Sequence, residues 1–270
     1  PFEQLRNEDV EVVGGKNASL GEMISQLPNG VRVPTGLATT AHAFRQFLQH
    51  DGLADRISQR LAALDTEDVR ALAEAGAEIR GWVEAQPFPA DLEQAIRTAY
   101  AKLAGDNPDA SFAVRSSATA EDLPGASFAG QQDTYLWIRG VDDVLLHARR
   151  CISSLFTARA IAYRNRMGFP HEDVALSVGF QKMANAYTAG VMFTCNPSNG
   201  DRSVIAIDSN FGFGESVVSG EVTPDHFMVN KVTLDILERT ICTKECTYTV
   251  DLKTQKSVKC ETPFERQDVQ

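Results

Sequence analysis

Near residue 111 the spacing of apolar residues changes from the helical period to the two-residue period of strands, and any fold must accommodate both halves. Before that point, Leu20, Met23, Ile24 and Leu27 recur at helical spacing over residues 16 to 27, until Pro28-Asn29-Gly30 stops the element. Thr40 is placed to cap a helix carrying Ala43, Phe44, Phe47 and Leu48, which Asp51-Gly52 ends. Thr66, with Glu67 and Asp68 in the first turn, starts another with Val69, Leu72, Ile79, Trp82 and Val83 inward. Leu92, Ile96, Ala99, Tyr100 and Leu103 form the stripe of a further helix after Pro89. Beyond the change, SFAVRS and DTYLWIRG read as strands and residues 141 to 166 as one long helix. The runs DVALSVGFQKM, TAGVMFTC, SVIAIDS, DHFMVNK, ILERTI and CTYTVDL then read as strands separated by turns. Helices followed by strands imply an α+β protein of two lobes, residues 1-183 and 184-270.

Composition narrows the function classes. A chain of 270 residues, 43% hydrophobic, can bury a sizeable core. The net charge is −10 and the 26 basic residues are scattered, which argues against a nucleic-acid partner. No run approaches the roughly 18 apolar residues of a membrane span, and PFEQLRNEDV lacks the apolar segment of a signal peptide, so a cytoplasmic protein without a membrane partner is expected. The five cysteines are an odd number without a disulfide spacing and read as reduced thiols. Cys242 and Cys246 lie in a strand-like stretch, where positions four apart face one side. Zinc would need two further ligands and only Cys260 is at hand, so no metal site is expected there.

Four stretches carry chemistry. In FAVRSSATAEDLPGASFAGQQDT, Arg115 ends an apolar run and cannot shed its charge, so it needs an anion or a carboxylate. The hydroxyls and glycines that follow suit a loop whose N–H groups approach a polyphosphate. The same residues also fit a solvated loop with Arg115 paired to Glu121 or Asp122. In VVGGKNASLGEM, Gly14 and Gly15 precede Lys16 at the start of a helix, where the dipole favours an anion, although the GxxxxGK[ST] spacing fails. FGFGESVVSG is a glycine-rich turn after a strand. Gln181, polar within VGFQKM, either reads an adenine edge or satisfies a neighbouring backbone group.

The order of these stretches is more specific than any one of them. GGKNASLGEM, VPTGLATTAHAF, FAVRSSATAEDLPGASFAGQQDTYL, FTARAIAYR, VGFQKM and GFGESVVSGEVTPDHF together resemble the N-terminal nucleotide-binding region of the phosphoenolpyruvate synthase and pyruvate phosphate dikinase family, over residues 10 to 240. The resemblance implies an ATP-grasp fold, with a nucleotide cleft between a helix-rich first lobe and a strand-rich second lobe. It implies that Lys16 and Arg115 bind the ATP phosphates and carry the catalysis, that Gly130 and Thr134 belong to the loop over them, and that Gln181 lies by the base. It further implies transfer of the ATP β-phosphate to a histidine on a mobile domain and then to pyruvate, with AMP and phosphate released.

Two departures qualify this expectation. Family members hold Mg²⁺ with carboxylates in a motif like D-x-E-W, absent from KTQKSVKCETPFERQDVQ, so the ligands are expected beyond residue 270 and no metal ligand is assigned here. His42, His50, His147, His171 and His226 all lack the T-C-H-A context of the phosphocarrier. The chain is therefore expected to be a C-terminally truncated part of a dikinase, with the carrier and acceptor domains supplied in the same chain or by another subunit. A phenylphosphate synthase subunit, a rifampicin phosphotransferase and a non-catalytic nucleotide module are the alternatives.

Overall fold

The computed structural model describes all residues except 108, 120–121, 124–125, 128–132, 252–253, 255–256 and 270, with the backbone alone at 122–123 and 126–127. Gly130, Glu121 and the side chain of Asp122 lie outside the described residues. The chain divides into two units, Pro1–Met183 and Ala184–Gln270.

In the first unit the apolar stripes become helices α1 (Val10–Gln26), α2 (Ala41–Gln49), α3 (Leu53–Ala62), α4 (Val69–Ala85), α5 (Ala90–Ala104), α6 (Val141–Ser153) and α7 (Ala158–Met167). The hydroxyl of Thr40 accepts from Ala43 N at 3.1 Å and caps α2 as expected. Three local readings need correction. The cap of α4 is Asp68, whose carboxylate accepts from the N–H groups of Arg70 and Ala71, whereas the Thr66 hydroxyl accepts from Asn165 Nδ2. The long helix expected over 141 to 166 breaks after Ser153, because Thr157 is extended and caps α7 by accepting from Ala160 N at 3.2 Å. Helix α3 follows Asp51-Gly52 directly, with Gly52 left-handed at φ 70°, a restart that the turn signal concealed.

Strands β1 (Gly36–Ala38), β2 (Ser111–Ala118), β5 (Thr134–Arg139) and β6 (Leu176–Lys182) form an antiparallel sheet in the order β1-β6-β2-β5; the short ribbon of β3 (Asp122–Leu123) and β4 (Ala126–Ser127) stands between β2 and β5 in sequence. Register assigns its two faces. Phe112 and Val114 of β2 share one with Leu176, Val178 and Phe180 of β6 and Leu37 of β1, all buried in the core with the helical stripes. The face opposite carries Arg115, Ser117, Ser177, Gly179 and Gln181, and α1 packs there.

The second unit has a sheet in the order β10-β9-β8-β7, from β7 (Thr188–Phe193), β8 (Val204–Phe211), β9 (Asp225–Asn230) and β10 (Ile236–Thr240). A hairpin of β11 (Cys246–Val250) and β12 (Ser257–Glu261) and the short helices α8 (Glu215–Val218) and α9 (Phe264–Gln267) complete it. Buried Asn210 Nδ2 ties them together, donating to Ser216 Oγ at 2.8 Å and Cys246 O at 3.0 Å. Lys244 and Asp225 form a buried ion pair at 2.7 Å. Cys242 lies between β10 and β11, so it shares no strand with Cys246 and the expected common face does not exist.

In the first unit His171 Nδ1 accepts from Arg164 Nε at 2.9 Å, and burial, helped by the guanidinium, pushes the imidazole down to about 4 from 6.5. The folded ring thus refuses a proton that the unfolded chain takes up below pH 6.5. This contribution is complete above that pH and is lost as pH falls toward 4. The melting temperature should therefore drop between pH 7 and pH 4.5, and His171→Gln should shallow that slope; an unchanged slope in thermal melts would contradict the assignment.

Candidate functional site

The site grows from a break in α1. Gly14 sits at φ 76°, ψ 160°, so the helical path stops there and residues 15–26 restart as a second segment. Only glycine fits: a Cβ at Gly14 would stand 2.3 Å from both the carbonyl oxygen and the Oγ of Ser117, on top of a backbone that L side chains rarely adopt. Lys16 and its neighbours therefore begin a helical segment whose first N–H groups and dipole are directed toward β2, an arrangement that favours an anion.

Ser117 is the meeting point. Its Oγ accepts from Asn17 N at 3.3 Å. Arg115 lies two positions earlier on the same strand, and thus on the same face of the sheet. Thr134 is the register partner of Arg115 across β5, and Gly179 is its partner across β6. One face therefore gathers Arg115 and Thr134 with the segment that begins at Lys16, although about 100 residues separate the two stretches in sequence (|i−j| is 100 from Asn17 to Ser117). Thr134 is exposed and Lys16 and Arg115 are half-buried, so the arrangement is a surface and not an enclosed pocket.

Gln181 is on this face too, paired with Gly36 and Ala113. Its Nε2 donates to Pro34 O at 3.0 Å, so one of its amide N–H groups serves the backbone. The glycine-rich turn FGFGESVVSG belongs to the second unit. Gly212, at φ 72°, leaves no room for a Cβ, which would stand 2.0 Å from Tyr248 O, so its glycine is required by packing of the hairpin. Glu215 accepts a hydrogen bond from Ser257 Oγ.

The clefts elsewhere have other chemistry. One of about 450 Å³ lies on a sheet face of the second unit, floored by Gly190, Met192, Ile207 and Phe227 with Lys244 and Asp225 at its edge. Another of about 190 Å³, around Arg164 and His171, is in the helical part of the first unit. Neither is lined by Lys16, Arg115 or Gln181. A larger cleft of about 610 Å³, around Glu221, Glu245, Lys259 and Glu261, also lies in the second unit, and none of the three joins a lysine, an arginine and a helix start as a polyphosphate needs.

The residues that sequence reasoning missed are Asn17, Ser117 and Ser177. Asn17 is fully buried, and its Nδ2 donates to Val13 O at 3.0 Å and to Ser177 Oγ at 2.9 Å. The only signal was position: Asn17 and Ser117 fall inside stretches singled out for Lys16 and Arg115, and Ser177 immediately precedes VGFQKM. Among the described residues, no group of three or more His, Cys, Asp or Glu side chains could hold a metal ion. No described helix is long and apolar enough to cross a membrane.

Known proteins share this sequence over most of its length. Residues 10–270 match the family model of the pyruvate phosphate dikinase, AMP/ATP-binding domain. The chain is 54% identical over 268 residues to a phosphoenolpyruvate synthase of Pseudomonas aeruginosa, covering 96% of the chain and 34% of that protein. It is 49% identical over 279 residues to the phosphoenolpyruvate synthase of Escherichia coli, covering 99% and 35%. A probable phosphoenolpyruvate synthase of Methanocaldococcus jannaschii is 47% identical over 260 residues, covering 95% and 22%. The chain thus spans about a third or less of the length of these relatives.

Replacing Gly14 by alanine combines left-handed strain of about 1–2 kcal/mol with overpacking of about 1–3 kcal/mol. Gly14→Ala should therefore destabilise the chain by about 2–5 kcal/mol in urea unfolding, whereas Gly81→Ala, with open space around its Cβ, should be neutral or stabilising. Equal effects would show that the close approach to Ser117 is not constraining.

Proposed function

The chain belongs to the family of pyruvate phosphate dikinase AMP/ATP-binding domains, and from that premise we propose that it binds ATP through Lys16, Arg115 and Thr134 as the nucleotide part of a phosphoenolpyruvate synthase-like dikinase. The observation that carries this reading is the convergence of the Lys16 segment and the Arg115–Thr134 pair on the sheet face opposite the core. A triphosphate supplies the anion that the guanidinium fork and the ammonium call for, and the helix start adds partial positive charge. The architecture proposed with it is an ATP-grasp pair, residues 1-183 as the first lobe and 184-270 as the second.

In phosphoryl transfer the protein contributes position and charge neutralisation more than covalent chemistry. Lys16 and Arg115 hold the phosphate oxygens and spread their charge, which favours departure of the AMP oxygen when the β-phosphorus is attacked. The attacking imidazole belongs to a carrier domain in the same chain or a separate subunit and takes the β,γ-pyrophosphoryl group as AMP leaves; water then removes the γ-phosphoryl group as phosphate, and the remaining β-phosphoryl group passes to pyruvate, the final acceptor. Gly130 belongs to the loop over the phosphates and Gln181 sits by the base, its remaining amide groups available to an adenine edge. Mg²⁺ would accompany the phosphates and offset their charge. The cytoplasm, where pyruvate and ATP are available, is the compartment that fits.

Calorimetric titration with MgATP tests the reading. Lys16→Ala and Arg115→Ala should each weaken binding by about 10- to 100-fold, the loss of a charge-assisted hydrogen bond. Affinity unchanged in both variants would contradict the proposed phosphate surface. ATP bound without phosphohistidine on an added carrier domain would favour a non-catalytic nucleotide module, and phosphohistidine discharged by phenol and not pyruvate would favour a phenylphosphate synthase subunit.

A further inference from the structure

We infer that Asn17 is a positioning residue, which sets the place of Lys16 relative to Arg115 through a buried clasp on Ser117 and Ser177. The inference rests on the ATP-binding reading above and adds to it a residue whose work is geometric.

The clasp is defined atom by atom. Val13 O can only accept, so the side-chain group that meets it at 3.0 Å is the amide nitrogen of Asn17, which fixes the orientation of the carboxamide. The same nitrogen donates to Ser177 Oγ at 2.9 Å, and Ser177 passes its own proton to Thr39 O at 2.6 Å. The backbone N–H of Asn17 donates to Ser117 Oγ at 3.3 Å. Ser117 and Ser177 are register partners on β2 and β6. The Asn17 side chain thus bridges the break at Gly14, β6 and, through Ser177, the segment after β1, while its backbone N–H reaches β2.

Its cost argues for a role beyond packing. Asn17 Oδ1 is buried and accepts no hydrogen bond among the described residues; it faces Gly179, where a Cβ would stand 2.4 Å away. An apolar side chain would fill this space without leaving a buried carbonyl unsatisfied. What an apolar contact cannot supply is direction. Hydrogen bonds to two strands fix the helix segment in rotation and height, and Lys16 is the next residue along the chain. Arg115 lies two residues before Ser117 on β2, so the segment that carries Lys16 is tied to the strand that carries Arg115.

A double-substitution cycle in the full chain, read as MgATP affinity by calorimetry, tests this. Asn17→Ala should weaken ATP by roughly 10-fold when Lys16 is present and by less than about twofold in the Lys16→Ala background, because it acts through that lysine. Ser177→Ala removes the strand anchor and keeps the amide; it should show the same dependence on Lys16 at smaller amplitude, and it serves if Asn17→Ala fails to fold. A purely structural role would lower the melting temperature and weaken ATP equally in both backgrounds, which would overturn the inference, as would no loss in either. An unchanged affinity for Lys16→Ala alone would instead overturn the ATP-site reading, and the two failures are therefore distinct.

Discussion

The contact of the Gly14–Asn17 segment with Ser117 is the constraint on which the rest of the site depends. It joins a helix near the start of the chain to the central strand of a sheet that forms about 100 residues later. Two different forces act there. Sterics forbid any side chain at Gly14, since a Cβ would stand within 2.3 Å of Ser117, and hydrogen bonding directs Asn17 to both Ser117 and Ser177. Sterics set how near the helix comes, and hydrogen bonds set its rotation.

Sheet alternation then divides the labour. Phe112, Val114, Val178 and Phe180 turn inward to a core completed by the helical stripes, and their burial supplies the hydrophobic stabilisation that makes the sheet rigid. Arg115, Ser117, Gly179 and Gln181 face the other way as a direct consequence of the two-residue period. A shift of one residue in the pairing of β2 would bury Arg115 and expose Val114, so the hydrophobic core itself enforces the position of the functional arginine. Stability and function are in this sense written on opposite faces of the same strands.

Much of this architecture was legible in the sequence, and the exceptions have physical causes. The alternation of SFAVRS and the stripe of Leu72, Ile79 and Val83 follow from simple periodicity, and β2 and α4 form there. The break between α6 and α7 was hidden because the apolar period continues through Leu155 and Phe156 while Thr157 ends the backbone path. Strand β12 escaped notice because SVKCE alternates over only five residues, with Val258 and Cys260 its only apolar side chains, and is held by pairing with β11. At the site, Lys16 and Arg115 declared themselves by charge in apolar or glycine-rich surroundings. Asn17, Ser117 and Ser177 did not, because a buried hydrogen-bond network depends on contacts over 100 to 160 residues of sequence separation that no local pattern contains. The family match over residues 10–270 adds the nucleotide class to a surface whose geometry already called for an anion.

The most direct test of the account is to measure how fast an amine-reactive reagent labels each lysine, by mass spectrometry, with and without MgATP. The account predicts that ATP slows labelling of Lys16 while Lys102, at the end of α5, reacts at an unchanged rate. Saturating ATP that leaves the labelling of Lys16 unaltered would contradict the placement of the phosphates on this face of the sheet.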